Sequence, residues 1–261
     1  MIRVRNVVVY ATRSRNVISA AALSAVIYPN ATYHIVAAIP KLRSRVMYTR
    51  MFQEVVEGLA GDSMHEVEMA LLSKGAIVTR KRLLRGDPIR SLVDYITSTR
   101  ADLLVAGSSS PSFILNVVFK ILSALRSARF YIPTLIHTPR SRQVTDVKEV
   151  LLVLHSAQPE DISVLVSADL ARRLGAHLKI LPILRVPWLE RHSLSLKTYL
   201  GLKDVDVSIE TFPTSASAVE EVLEASEGAD VVVLEGSRGV KDMELLDKRV
   251  AAESAAPVIL T

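Results

Sequence analysis

A short segment of this sequence occurs twice, and the repeat limits the fold more than any other feature. Ala101-Asp102-Leu103-Leu104-Val105-Ala106-Gly107-Ser108 returns as Ala229-Asp230-Val231-Val232-Val233-Leu234-Glu235-Gly236-Ser237. Pro133-Thr134-Leu135-Ile136 returns as Pro257-Val258-Ile259-Leu260. The two copies are offset by 128 and 124 residues, so the second carries small deletions. The 261 residues are enough for two compact domains, and we expect a duplicated domain.

Short β-branched segments alternate with helical segments in both halves. Three consecutive valines within Val4–Tyr10 are typical of a strand buried on both faces. Strands separated by helices predict right-handed crossovers and a parallel sheet. In the first half we predict strands at 4–10, 31–39, 76–84, 103–106 and 134–136, and helices at 16–28, 44–73, 88–99 and 112–127. The long helix is expected to be interrupted near Gly61-Asp62.

Local signals mark the ends of particular helices. Asp87 followed by Pro88 predicts an N-cap and a first helical residue. In the second half we predict a strand at 150–154 and a helix at 162–174 that Gly175 closes. The polar segment 138–146, which holds Pro139, is the predicted linker. The fold class is therefore α/β, with two tandem five-stranded parallel-sheet domains at residues 1–140 and 147–261.

Charge is divided unequally between the halves. Residues 1–145 carry 20 Lys and Arg against 8 Asp and Glu, a net charge of +12, whereas residues 146–261 carry 12 against 19, a net charge of −7. Such asymmetry can steer anionic ligands toward the first half or draw the two halves together. With no cysteine, disulfides, thiolate metal sites and cysteine nucleophiles are excluded. The scarcity of Asn and Gln is typical of a thermophile, and the start of the sequence has no secretion-signal pattern, so we expect a cytoplasmic protein.

The loops that follow the strands are the candidate ligand sites. In an open parallel sheet, ligands bind beyond the carboxyl ends of the strands. The candidate loops are therefore those that follow Tyr10, Ala106, Leu154 and Leu234. A Gly-Ser loop that runs into a helix offers backbone N–H groups and the positive end of the helix dipole, which suit an anion.

The order of these motifs resembles the universal stress proteins in their tandem form. The resemblance depends on the strand openings, Gly86-Asp87-Pro88 before a helix, the repeated Ala-Asp segment and the closing strands after Pro133 and Pro257. It implies a Rossmann-like domain, similar to the adenine nucleotide alpha-hydrolases, and an internal pseudo-dimer in which the final strands pair. Some members bind ATP through a Gly-x-x-Gly motif that is followed, after nine further residues, by Gly-Ser or Gly-Thr. In these members an Asp lies at the end of the first strand.

The first half departs from that ATP motif. Gly107 is present, but Ser110 stands where the next glycine is expected, and Lys120-Ile121 replaces the Gly-Ser pair. Tyr10-Ala11-Thr12 stands where the first-strand Asp is expected. An altered anion site would combine the following residues: Arg13, Arg15, Gly107, Ser108, Ser109, Ser110 and Lys120. The alternative is that these cations are solvated surface groups.

The second half departs differently. Gly236-Ser237-Arg238-Gly239 keeps the opening motif, but the Gly-Ser pair is replaced by Arg249-Val250 or, with a shortened loop, by Glu244-Leu245. Glu235 with Glu244 or Asp242 would repel phosphates. The glycine motif is then either a remnant of a turn or part of a site. If ATP or another adenine nucleotide is a cofactor, we therefore expect its binding to be weak or absent.

Three further features admit two interpretations each. The basic run Arg80-Lys81-Arg82-Leu83-Leu84-Arg85, with Arg90, is either a polyanion site or a charged edge strand that resists association. The apolar helix around Phe113 is either core or a domain or subunit contact. His155 either contacts a ligand at the second cleft or has a structural role.

The sequence carries no triad, nucleophile elbow or metal-ligand spacing, so we expect no enzyme and no metal. Our first hypothesis is a stress-response binding or sensor protein. The alternatives are a cytosolic regulatory or docking component of a membrane transporter, because similar tandem domains occur in cation/proton antiporters and amino-acid permeases, and a nucleotide or polyanion binder acting through the basic first domain. Expected partners are the second domain and other copies of the chain, with no specific nucleic acid.

Overall fold

The structure is a computed structural model that describes residues 3–39, 47–154, 162–183, 204–210, 218–236 and 241–261. These residues form two compact units, one spanning Val4–Pro139 and the other built from Arg140–Thr261. Each unit is an α/β structure around a parallel sheet, which confirms the predicted fold class.

The first unit places its five strands in the order β3-β2-β1-β4-β5, all parallel. β1 is central, and its Val7, Val8 and Val9 are fully buried because helices cover both faces of the sheet. The elements in chain order are β1 Asn6–Tyr10, α1 Arg15–Ile27, β2 Thr32–Ile39, α2 Met47–Leu72, β3 Ile77–Arg85, α3 Pro88–Thr99, β4 Leu103–Gly107, α4 Pro111–Phe113, a π-helical segment Ile114–Val118, α5 Phe119–Ser127 and β5 Thr134–His137.

The second unit has the corresponding order, β10-β9-β6-β7-β8, and its strands are also parallel. Its described elements are β6 Glu149–Leu154, α6 Ile162–Leu174, β7 His177–Pro182, β8 Val207–Ile209, α7 Ala218–Gly228, β9 Val231–Leu234, α8 Lys241–Glu253 and β10 Val258–Leu260.

The helix ends follow the local signals in the sequence. Asp87 is the N-cap of α3, its side chain accepts a hydrogen bond from the Arg90 backbone N–H at 2.8 Å, and Pro88 is the first helical residue. Gly175 follows α6 with a φ of +64°, a left-handed conformation that favours glycine. Both predictions are confirmed.

The repeated Ala-Asp segment has the same structural role in both units. Asp102 accepts hydrogen bonds through Oδ2 from the backbone N–H groups of Arg5 and Asn6, at 2.8 and 2.9 Å. Asp230 accepts through Oδ2 from Lys148 and Glu149, at 2.8 and 3.0 Å. Each Asp therefore ties the start of one strand to the start of its neighbour. These bonds explain why the Asp accompanies the apolar strand in both copies.

Two helical predictions need correction. The interruption predicted near Gly61-Asp62 is wrong, since α2 continues from Met47 to Leu72. One glycine costs a helix only about 1 kcal/mol, which the surrounding helix formers and the buried face of α2 offset. The single helix predicted at 112–127 is three segments, with π-helical geometry at Ile114–Val118. A π turn accommodates an extra residue in a helix, which periodicity does not reveal.

In the described ranges, no helix is both long enough and apolar enough to cross a membrane.

Candidate functional site

Gly107, the last residue of β4, lies against the beginning of α1. A Cβ atom at this position would lie 2.5 Å from the backbone carbon and oxygen of Asn16 and 2.6 Å from the nitrogen of Val17. These are backbone atoms in a helix, which cannot shift as the end of a side chain can. Gly107 is therefore required by the packing of β4 against α1, whether or not a phosphate approaches it.

Asn16 joins the loops after β4 and β5. Its side-chain Nδ2 donates hydrogen bonds to the carbonyl oxygens of Ser108 and Thr138, each at 2.8 Å. Ser108 and Thr138 are both buried. Since an amide NH₂ group has two hydrogens, these two bonds use both. Asn16 thus fixes both loops to the first turn of α1.

The loop after β4 also satisfies much of its own hydrogen bonding. The Thr12 hydroxyl donates to the Gly107 carbonyl at 3.1 Å, and the Ser108 backbone N–H donates to the His137 carbonyl at 3.3 Å. The Ser110 backbone N–H donates to the Ser108 hydroxyl oxygen at 3.0 Å. Two backbone N–H groups that a bound phosphate would need therefore already have partners within the protein.

The structure brings the predicted anion-site residues of the first unit to one edge of the sheet, except for Lys120. Arg13 and Arg15 are exposed, on either side of Ser14, which caps α1. Ser109 and Ser110 are exposed at the start of α4, and Ser108 is buried beneath them. Because Asn16 contacts the Ser108 carbonyl, these arginines and serines flank the same edge of the sheet.

Lys120 lies away from this edge. It is the second residue of α5 and is exposed. At 1.5 Å per residue, the nine-residue separation between Pro111 and Lys120 corresponds to about 13 Å along the helical segments. Ile121 is only 1% exposed and belongs to the hydrophobic core. The segment that would carry the Gly-Ser pair is therefore helical here, and Lys120 does not join the loop.

The apolar helical segments around Phe113 pack within their own unit. Ile114, Val118 and Ile121 are buried. The Phe113 ring stacks on Tyr10 at the end of β1, with ring centroids 6.0 Å apart. Burial raises the pKa of the Tyr10 hydroxyl. Leu115, which is 36% exposed, is the most exposed large apolar side chain of these segments. Packing in the core of this unit therefore explains most of the apolar residues predicted to need cover.

In the second unit, the glycine that follows β9 lies one residue later than Gly107, the glycine that ends β4 in the first unit. The Gly236 backbone N–H donates to the Thr261 carbonyl at 2.9 Å, as Ser108 donates to His137 in the first unit. Gly236 therefore corresponds to Ser108, and the buried Glu235 corresponds to Gly107. A carboxylate thus stands where a phosphate loop would begin. Glu244 is ion-paired with Lys248 at 2.6 Å. Ser237, Arg238, Gly239 and His155 lie outside the described residues.

The second unit also lacks the side chain that fixes the loops in the first. α1 and α6 each have 13 residues, and their second residues are Asn16 and Ser163. Ser163 is 1% exposed, and its hydroxyl has no hydrogen-bond partner among the residues that the structure describes. A serine is too short to bridge two carbonyl groups as Asn16 does. The two units therefore differ at corresponding positions of their first helices.

Sequence reasoning missed Asn16. The available signal was its rarity, since the chain has four asparagines and one of them occupies the first turn of a helix, where asparagine has poor propensity. Among the described residues, no group of three or more His, Asp or Glu side chains is placed to hold a metal ion.

No family model matches the sequence, and none of the curated proteins matches it. Solved structures do match along nearly the whole chain. A universal stress protein from Archaeoglobus fulgidus is similar over 98% of this chain and 95% of its own, with a TM-score of 0.74 and 16% identity. A protein from Pseudomonas aeruginosa assigned to the universal stress proteins is similar over 98% and 92%, with a TM-score of 0.61 and 14% identity.

A third similar structure comes from a membrane transport system. The cytoplasmic domain of a prokaryotic cation chloride cotransporter is similar over 99% of this chain and 95% of its own, with a TM-score of 0.58 and 10% identity.

The parallel sheets, with helices on their faces and loops at the carboxyl ends of the strands, define an α/β protein with a Rossmann-like fold. The fold of this chain is that of the universal stress proteins, as the resemblance predicted.

Proposed function

We propose that this chain is a cytoplasmic, non-enzymatic binding or sensor protein of the universal stress type in which ATP binding is weak or absent. The observation that carries this proposal is the pair of hydrogen bonds from Asn16 to Ser108 and Thr138. These bonds fix the loops after β4 and β5 to the first turn of α1, and we expect loops held in this way to adapt poorly to a bound polyphosphate. In the second unit, the buried Glu235 places a carboxylate at the corresponding loop, which disfavours a polyphosphate.

Isothermal titration with ATP, ADP and AMP tests the proposal. We expect no submicromolar binding by the wild-type protein, and no release of phosphate from ATP during prolonged incubation. Submicromolar ATP binding to both units would contradict it.

A nucleotide or polyanion binder that uses the basic first domain is the alternative at the same edge of the sheet. Arg13 and Arg15 are exposed there and make no ion pair in the described part of the chain. If ATP binds, replacing both arginines by glutamine distinguishes the two units. Loss of binding in this variant would assign the ligand to the first unit, and unchanged binding would assign it to the second.

A second candidate function is docking to a membrane transporter. It is favoured by the similarity, over nearly the whole length of both chains, to the cytoplasmic domain of a cation chloride cotransporter. A transporter gene beside the gene for this chain would support it. Co-purification of that transporter from solubilised membranes is the direct test, and its absence from the purified complex would count against docking.

A further inference from the structure

β3 is an edge strand with nine residues, and its basic side chains lie on two different faces. In the first unit β3 pairs with β2 on one side, and no strand of the described ranges pairs on its other side. Alternate residues of such an edge direct backbone N–H and C=O groups outward. The predicted edge position of the basic run is confirmed. It is separated by β2 from β1, whereas the loops described above lie at the carboxyl ends of β1, β4 and β5.

One face of β3 is neutralised by α2. The Lys81 ammonium lies 2.6 Å from the Glu68 carboxylate. The Arg85 guanidinium contacts the Glu57 carboxylate through two bonds, of 3.1 and 3.0 Å. These hydrogen bonds lower the pKa of both glutamates. Lys81 and Arg85 therefore already have anionic partners.

Arg80 and Arg82 lie on the opposite face, because side chains alternate along a strand. Both are exposed, and neither makes an ion pair in the part of the chain that the structure describes. The guanidinium carbon of Arg82 lies 5.8 Å from the centre of the Tyr95 ring. The Tyr95 hydroxyl is in turn 3.0 Å from Nδ1 of His34 on β2. The Cα atoms of Arg80 and Arg82 are thus about 7 Å apart along the strand, on one face, with no carboxylate of the described residues paired to either side chain.

We propose that the outer edge of β3 binds an extended acidic segment of a partner protein, which adds to the sheet as a further strand. Side chains of an added strand repeat every second residue on each face. Two acidic residues separated by one residue would therefore contact Arg80 and Arg82 together. The backbone of the segment would pair with the outward N–H and C=O groups, as in other cases of strand addition.

The edge favours a peptide over a nucleic acid or a second copy of itself. Its outward carbonyl groups need donors, which a peptide backbone supplies and a phosphodiester backbone does not. A second β3 strand would place arginine opposite arginine, which is unfavourable because like charges directly opposite repel. The unneutralised arginine pair therefore selects against self-association and for an acidic partner strand.

The test uses a labelled eight-residue peptide in which glutamate alternates with valine. Fluorescence anisotropy should detect binding of this peptide and none of the matched peptide in which lysine replaces glutamate. Replacing Arg80 and Arg82 together by glutamine should weaken binding about tenfold, since each cross-strand ion pair contributes modestly. Lys81→Gln is the matched control, because its partner is Glu68, and it should weaken binding less than about twofold.

Two further measurements separate strand addition from attraction between charges. N-methylation of alternate peptide amides should abolish binding, and the peptide should slow hydrogen exchange in β3. Unchanged binding after N-methylation, or equal binding of the glutamate and lysine peptides, would overturn the proposal. Tighter binding of a single-stranded oligonucleotide that requires the same two arginines would also overturn it, in favour of a nucleic acid partner. Circular dichroism of the double variant verifies that it is folded.

Discussion

Gly107 and Asn16 are so close that a methyl group on Gly107 would lie 2.5 Å from the Asn16 carbonyl. The pair connects the end of β4 to the first turn of α1. Asn16 then extends the connection to Ser108 and Thr138. A glycine that the resemblance to the ATP motif associates with phosphate binding thus has a sufficient structural reason to be present.

Gly107→Ala should lower the free energy of unfolding by about 1–3 kcal/mol, because the added methyl group forces β4 and α1 apart. The matched control is Gly61→Ala in α2, where a Cβ would meet nothing within 4 Å. That control should raise stability by about 0.4–1 kcal/mol. Urea unfolding of both variants measures these effects. Equal stability of the wild type and Gly107→Ala would show that the close approach does not constrain this residue.

Asn16→Ala should destabilise the first unit by roughly 2 kcal/mol, because two buried carbonyl groups lose their donor. Amide exchange in the loops after β4 and β5 should accelerate at the same time. Asn16→Asp should be at least as harmful, since a carboxylate cannot donate to a carbonyl. Asn116→Ala, at an exposed position, is the control and should change stability by less than about 0.5 kcal/mol. Unchanged exchange in Asn16→Ala would contradict the proposed fixing of the loops.

Stability should fall as the pH drops below the ordinary histidine pKa because of His34. Burial, and secondly the charge of Arg80, lowers the pKa of His34 below its ordinary value of 6.5. The unfolded chain then binds a proton at a higher pH than the folded chain does. The contribution is complete above pH 6.5 and is lost as the pH falls toward and below the folded value. Tyr95 on α3 and Arg80 on β3 are the ionisable groups that act on this side chain.

Chemical unfolding across this pH range measures the effect. His34→Gln should remove part of the pH dependence, and Arg80→Gln should reduce it less, because burial is the larger cause. An identical pH dependence in the wild type and His34→Gln would exclude His34 as its source.

Arg100→Gly and Arg129→Gly should each stabilise the first unit by up to about 1 kcal/mol. The two arginines follow α3 and α5 with φ values of +49° and +56°, in the left-handed region that costs residues other than glycine about 1–2 kcal/mol. Part of the gain is offset by the greater freedom of glycine in the unfolded chain. Thermal unfolding of the two variants tests this. Destabilisation by either substitution would mean that the arginine side chain contributes contacts worth more than the backbone strain.

Local patterns in the sequence predict much of the fold. The three valines of β1 predict a buried central strand because only apolar, β-branched residues suit a strand covered on both faces. Asp87-Pro88 and Gly175 predict helix ends because their side chains, or the lack of one, suit particular backbone geometries. The Gly61-Asp62 interruption failed because packing along the whole of α2 outweighs the local cost of a glycine.

The candidate site was less predictable. The glycine spacing at Gly107 indicates a departure from the ATP motif, but spacing alone does not show that Lys120 lies within a helix. The offset of 128 residues between the two Ala-Asp segments already places Glu235 at the position of Gly107, and the pairing of β9 with β10 confirms this correspondence.

The sequence by itself determined the duplication, the α/β class, the unequal charge of the halves and the damage to the phosphate motif. These properties are carried by composition and by patterns within a few residues. Only the tertiary structure decided that Asn16 fixes the loops after β4 and β5 to α1, and that Arg80 and Arg82, within the described part of the chain, lack the anionic partners that Lys81 and Arg85 have. The physical reason is distance along the chain. Asn16 and Thr138 are separated by 122 residues, and Arg85 and Glu57 by 28, so the folded chain alone brings these groups together.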